Sequence, residues 1–152
     1  MTILNLTQHV VTPDQYEQGV IEPKRMGFFG PAKVKELIKE LLTFDSLPSH
    51  AQIEEVAGAL ALMATENGAK RAMIGGAPFL MAPLEQALLN VGVEPVYAFS
   101  VRDSTEQVQP DGSVRKVNTF SHAGFVRPHR PKQDCPACTP EEREAWEQGF
   151  AI

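Results

Sequence analysis

Cysteine is nearly absent, with two residues in 152, too few for a disulfide framework to hold the fold together. Basic residues are in deficit: 14 Lys and Arg stand against 19 Asp and Glu, giving a formal net charge of −5 and a pI of about 5.4. A protein that coats duplex nucleic acid needs the opposite balance to neutralise phosphates, so the charge argues against that class. A pocket for one small anion is not. Long apolar runs are missing as well. The most apolar stretch, Met73 to Leu84, is interrupted by glycines and prolines and falls short of the ~18 residues that make a membrane span. The opening Met1-Thr2-Ile3-Leu4 has no basic segment ahead of an apolar run, so no secretory leader is expected. These absences predict a soluble, cytoplasmic protein with no membrane partner, and the length suits one ordinary domain with its own core.

What is present alternates between strand and helix signals. Thr2 to Thr7 is short, β-branched and apolar, a buried strand. Thr12-Pro13-Asp14-Gln15 then combines an N-cap, a proline at the first helical position and a capping-box glutamine, predicting a short helix that stops at Gly19. Pro23 to Pro31 reads as a loop. Val34, Leu37, Ile38, Leu41 and Leu42 recur at helical spacing opposite Lys33, Lys35, Glu36, Lys39 and Glu40, an amphipathic helix. A second helix starts near Ser49, with Gln52 in the capping-box position, and closes at Gly68.

Arg71 to Ile74 is strand-like and runs into Gly75-Gly76; a helix bearing Leu80, Leu84, Ala87, Leu88 and Val91 follows, and Pro95 to Val101 forms the next strand. This order is a βαβ unit with parallel pairing. Pro110-Asp111-Gly112 is a turn signal, so Val114 to Phe120 returns as the second arm of a hairpin, and Phe125-Val126 finishes the sheet. The predicted architecture is a single Rossmann-like α/β domain over residues 1–127, with a mostly parallel central sheet and a β-hairpin. Residues 128–152 form a C-terminal appendage with Cys135-x-x-Cys138 and a short helix that includes Trp146.

Four constellations carry possible chemistry. Asn5, Thr7, His9, Thr12 and Gln15 follow the first strand, where open α/β sheets bind ligands. They offer hydrogen bonds to an anion or a base, although Thr12 and Gln15 also serve as helix caps. Gly75-Gly76 lets a ligand approach backbone amides at a helix start; the bland reading is a tight turn, since neither the dinucleotide fingerprint nor a P-loop is present. Ser100 and Arg102 share a face of a regular strand, and Arg suits phosphate, or else is a solvated edge residue. The first three groups are expected at one rim of strand ends. Cys135 and Cys138, joined by imidazoles such as His129, could hold a structural zinc, or stand as free thiols in a reducing compartment. His122, among apolar residues, is either the second imidazole of such a zinc site or simply a satisfied core histidine. No catalytic triad, nucleophile elbow or paired-carboxylate signature is evident.

Asn5-Leu6-Thr7-Gln8-His9-Val10-Val11-Thr12-Pro13-Asp14-Gln15 resembles the N-x-[ST]-x-H-x-x-T-P-x-Q opening of small single-domain CRISPR-associated proteins of the Csx series. Glu94 to Arg102 and Pro110 to Phe125, which ends in F-x-H-x-x-F, resemble one branch of them. The resemblance implies a CARF-like domain that forms a two-fold homodimer and binds cyclic oligoadenylate over the strand ends, in antiviral defence. Some such relatives are ring nucleases that cut this cyclic oligonucleotide without a metal, so no cofactor is required. It places His9, Thr12 and Gln15 at the ligand, with Gly75, Gly76, Ser100 and Arg102 beside them, and gives His9 a possible acid or base role. The alternatives are a module that binds or sequesters a nucleotide without cutting it, and a protein-interaction domain.

Overall fold

The computed structural model describes residues 2–128 and 139–141. His129, Cys135, Cys138 and Trp146, and with them the zinc reading and most of the expected terminal helix, lie outside the described residues. The elements are β1 (Ile3–Asn5), α1 (Pro13–Glu17), β2 (Val20–Ile21), α2 (Pro31–Leu41), α3 (His50–Glu66), β3 (Arg71–Met73), α4 (Pro78–Asn90), β4 (Glu94–Val108) and β5 (Val114–Val126). They form an α/β fold around one five-stranded sheet in the order β2-β1-β3-β4-β5. The first four strands are parallel, and β5 is antiparallel to β4. No helix among the described residues is long and apolar enough to cross a membrane.

Side chains alternate across each strand, so the sheet sorts its residues onto two faces. Leu4, Ala72 and Ile74 face one way and meet Val34, Ile38, Leu60, Met63, Leu80, Leu84 and Leu88 of α2, α3 and α4. This is the main core. Several of these leucines have no solvent exposure, and truncating one such residue to Ala costs about 2–5 kcal/mol. Ile3, Val20, Met73 and Val96 face the other way and pack with Phe125 and Val11. On that side the only described helix, α1, buries none of its residues. It nonetheless touches both β2 and β5, the two edges of the sheet, because the sheet curls around it.

The starts of α1 and α3 follow from their caps. Thr12 accepts from the Gln15 amide while the Gln15 side chain accepts from the Thr12 amide, and Ser49 and Gln52 do the same for α3. Beyond Val96, β4 loses its pairing to β3 and continues as a two-stranded arm with β5. The arm reverses at Gln109–Ser113, where Gly112 takes φ 83° and the Asp111 carboxylate accepts from the Ser113 amide and hydroxyl at 2.9 and 2.6 Å. Two features depart from the sequence reading. Val20–Ile21 is a parallel edge strand, too short to show any periodicity. The return arm is one continuous strand, with a bulge where the register steps from Phe99↔Gly124 to Ser100↔His122.

Candidate functional site

The chain leaves β1 through a loop whose shape is set by one buried side chain. Asn5 has 0 % exposure, and every polar function of its amide is used. Its Nδ2 donates to the His9 carbonyl at 2.7 Å and to the Glu22 carboxylate at 3.1 and 3.3 Å. Its Oδ1 accepts from the Thr7 amide at 2.9 Å and the Thr7 hydroxyl at 2.7 Å. Glu22 also accepts from the Val11 amide at 2.8 Å. The Lys35 ammonium, reaching over from α2, donates to the His9 carbonyl at 2.7 Å, the Thr7 carbonyl at 3.2 Å and Glu22 at 3.0 Å. The loop is therefore a rigid rim, and through it the His9 imidazole is held out in solvent. Glu22 and Lys35 were not among the residues picked from sequence. Only their distance along the chain from Asn5, 17 and 30 positions, hid them.

The order of the sheet reverses between β1 and β3: β1 is followed outward by β2, while β3 leads to β4. Ligands of open α/β sheets enter the crevice outside such a reversal, at the carboxyl ends of its two strands. Here those ends lie side by side, the Leu6 amide donating to the Met73 carbonyl at 2.9 Å. A Cβ placed on Gly75 would lie 3.7 Å from the Thr7 methyl, and Gly76 adopts φ 149°, a conformation that L side chains rarely take. The two glycines deliver the backbone to the start of α4, whose N-cap Ala77 supplies no side-chain hydrogen bond. The first amides of α4 consequently point outward without a side-chain partner, an arrangement suited to an anion.

Residues 1–126, from ahead of β1 to the end of β5, match the model of the Uncharacterized protein MJ1673 family. The chain belongs to that family. No curated protein and no solved structure matches it.

In this MJ1673-family chain the third strand end lies further out than expected. Met73 pairs with Val96, so Ser100 stands about 13 Å beyond the level of Met73 at ~3.3 Å per residue. Ser100 and Arg102 are exposed on the arm rather than on a strand terminus. They do share a face, opposite His122 and Phe120 respectively. The Arg102 guanidinium sits 6.0 Å from the centre of the Phe120 ring. His122 stands at the base of the arm, opposite Ser100. Its imidazole lies 4.7 Å from the Phe125 ring, and both ring nitrogens are shielded from solvent with no hydrogen-bond partner among the described residues, so among those residues it is not a satisfied core histidine. Burial lowers its pKa from the ordinary value, and the Asp14 carboxylate on α1 opposes that shift.

Of the residues expected at the site, Asn5, Thr7, Thr12 and Gln15 all make hydrogen bonds within the loop and its helix cap. A side chain at position 75 would meet the Thr7 methyl, and His9 is bound into the rim through its carbonyl. Among the described residues no group of three or more His, Cys, Asp or Glu side chains is placed to hold a metal ion. A cavity of about 300 Å³ lies at the opposite, amino end of the strands, lined by Thr2, Leu4, Ile21, Asn67, Ala69 and Lys70 among others. Asn67 is fully engaged there, accepting from the Lys24 and Arg25 amides and donating to the Arg25 and Met63 carbonyls.

Proposed function

We propose that this protein binds a cyclic oligoadenylate-type nucleotide over the carboxyl ends of β1 and β3, as a two-fold dimer, and opens the ring without a metal. The observation that carries the reading is the meeting of the ends of β1 and β3 at the sheet reversal, where the Leu6 amide donates to the Met73 carbonyl, beside the side-chain-uncapped start of α4. A phosphate group set there meets oriented amides and needs no basic field, which reconciles a phosphate-bearing ligand with a net charge of −5. His9 stands at the rim, and Ser100 and Arg102 reach the same ligand from the arm. The likeness of the Asn5–Gln15 opening and of the Phe120–Phe125 segment to the Csx-series proteins narrows the ligand from any phosphate ester to this class. Cleavage requires a ribose 2′-hydroxyl in line with its own 3′-phosphodiester, leaving a 2′,3′-cyclic phosphate and a free 5′-hydroxyl. Alignment supplies most of the acceleration, with donors on the phosphorane oxygens adding to it.

The test is incubation of purified protein with labelled cyclic tri-, tetra- and hexa-adenylate in the presence of a chelator, alongside light scattering for the dimer. Linear products ending in a 2′,3′-cyclic phosphate support the enzyme. Tight binding without products identifies a sequestering module. Failure to bind any of the three rings refutes the nucleotide reading altogether.

A further inference from the structure

Resting on that reading only for its two-fold dimer, we infer that two copies of this chain join edge to edge through β4 of the arm, antiparallel and centred on Ser104, as a four-stranded ribbon. β3 pairs with β4 only as far as Val96, and every residue of β4 from Ala98 to Val108 is exposed. Over Ser100–Val108 the arm is a two-stranded ribbon of nine rungs, about 30 Å long at ~3.4 Å per residue. Two strands alone are marginal in water, and further strands make such a structure stable. Val101, Val108, Val114 and Phe120 stand between 42 and 75 % exposed on it. Open edges are normally blunted by proline or by a bulge, and β4 has neither between Ser100 and Val108.

The charges choose both the edge and the register. A two-fold axis between antiparallel strands sets one residue opposite its own copy, and residues equally far before and after it opposite each other. The outer edge of the arm, β5, carries Arg115 and Lys116 and no acid, so pairing through it matches no opposite charges. On the β4 edge the charged residues between Ala98 and Val108 are Arg102, Asp103 and Glu106. Arg102 and Asp103 are adjacent and have no residue midway between them. Arg102 and Glu106 have Ser104 midway, so this one centre sets Arg102 of each copy opposite the partner's Glu106, twice over. Centres at Arg102, Asp103 or Glu106 oppose like charges. Directly opposed residues share a face, so both pairs form where Arg102 lies 6.0 Å from the Phe120 ring centre and where Lys116 stands opposite Glu106. Neither Arg102 nor Glu106 makes an ion pair among the described residues. The guanidinium has several N–H donors, so pairing with the partner leaves others for a ligand. The new ladder ends with Ser100 opposite the partner's Val108, about 13 Å beyond the level of Val96, where β3 stops. That gap takes the partner's turn, Gln109–Ser113, over the carboxyl end of β3.

Two charge reversals that fail alone and fit together test this, with light scattering over a concentration series. Arg102→Glu opposes carboxylate to carboxylate at both pairs, and Glu106→Arg opposes cation to cation. Each is expected to weaken the dimer about tenfold or more. Mixed in equal amounts, the two variants form a heterodimer in which both pairs are again acid against base, with affinity within about threefold of wild type. Lys39→Glu, a reversal on an exposed position of α2, leaves the dimer unchanged. In wild-type protein, exchange of the outward amides between Ser100 and Val108 should slow as concentration rises through the dimer range, a measurement that needs no variant. Reversals that leave the dimer intact, a mixture that stays monomeric, or exchange that ignores concentration overturns the inference and moves the dimer to another surface. Wild type that stays monomeric at every concentration overturns both this contact and the dimer proposed above, while binding of the labelled rings to the same sample decides the nucleotide reading separately.

Discussion

Replacing Asn5 with Asp tests whether the loop after β1 is held as tightly as the geometry indicates. The two side chains have the same shape, so packing is unchanged. The acceptor that holds the Thr7 amide and hydroxyl survives, whereas the donor to the His9 carbonyl and to Glu22 becomes a carboxylate oxygen. Two carboxylates about 3.2 Å apart repel by about 5 kcal/mol at an effective dielectric of 20, and the Lys35 ammonium, 3.0 Å from Glu22, offsets a part of that. A net loss of about 3 kcal/mol at pH 7 follows. Protonation relieves it, because a neutral acid donates again to the His9 carbonyl. The introduced group therefore has its folded pKa raised above its unfolded value of about 3.9. Its penalty is small below pH 4, grows as pH rises, and saturates above the folded pKa, about two units higher. Urea unfolding followed by circular dichroism between pH 4 and 7.5 measures this. A variant within about 1 kcal/mol of wild type at pH 7, or one whose deficit does not change with pH, would show that the loop is not tied through Asn5.

Gly76→Ala meets no neighbour closer than 3.6 Å, so its cost comes from φ 149° alone and is expected at about 1–3 kcal/mol. Gly58→Ala within α3 meets nothing within 4 Å and should stabilise by about 0.5–1 kcal/mol; thermal melts of the two variants separate backbone strain from crowding. Ser49→Ala removes the hydroxyl that caps the 17-residue α3 and should cost about 1 kcal/mol in the same assay. The Asp111 carboxyl, lowered by its hydrogen bonds to the Ser113 hydroxyl and amide, favours the turn above its unfolded pKa and loses that effect as pH falls through its folded pKa. Ser113→Ala should return its NMR titration toward the ordinary carboxylate value.

The parts of this fold that sequence could reveal are those governed by local chemistry. The reciprocal caps at Thr12/Gln15 and Ser49/Gln52, the turn at Asp111-Gly112 and the apolar stripes of α2, α3 and α4 each depend on residues within one or two helical turns of one another. The knot beneath the β1 loop does not. Asn5, Glu22 and Lys35 meet only because β2 returns parallel beside β1 and α2 passes over both, and β2 is two residues long. Reading Asn5 as a ligand donor was reasonable from its position; its five hydrogen-bond contacts inside the loop were invisible until β2 was placed.

The base of the arm was hidden for a different reason, and it allows a sharp test. In a regular strand residues three apart point to opposite faces, so without a bulge His122 and Phe125 would face away from each other. Ala123 has no cross-strand partner, and this one extra residue brings both rings to the same face at 4.7 Å. Deleting Ala123 removes only the residue without a pairing role: Gly124 still opposes Phe99 and His122 still opposes Ser100. The variant should keep its cross-strand contacts, seen as Ser100–His122 nuclear Overhauser effects, and change stability by less than about 1 kcal/mol. Deleting Ser121, a paired residue opposite Val101, shifts Val114 to Phe120 by one position and turns Phe120 away from Arg102. The same spectra should then lose the Arg102–Phe120 contact and show a broadened arm. If the two deletions behave alike, Ala123 is not the surplus residue, and the face assigned to His122 has to be redrawn.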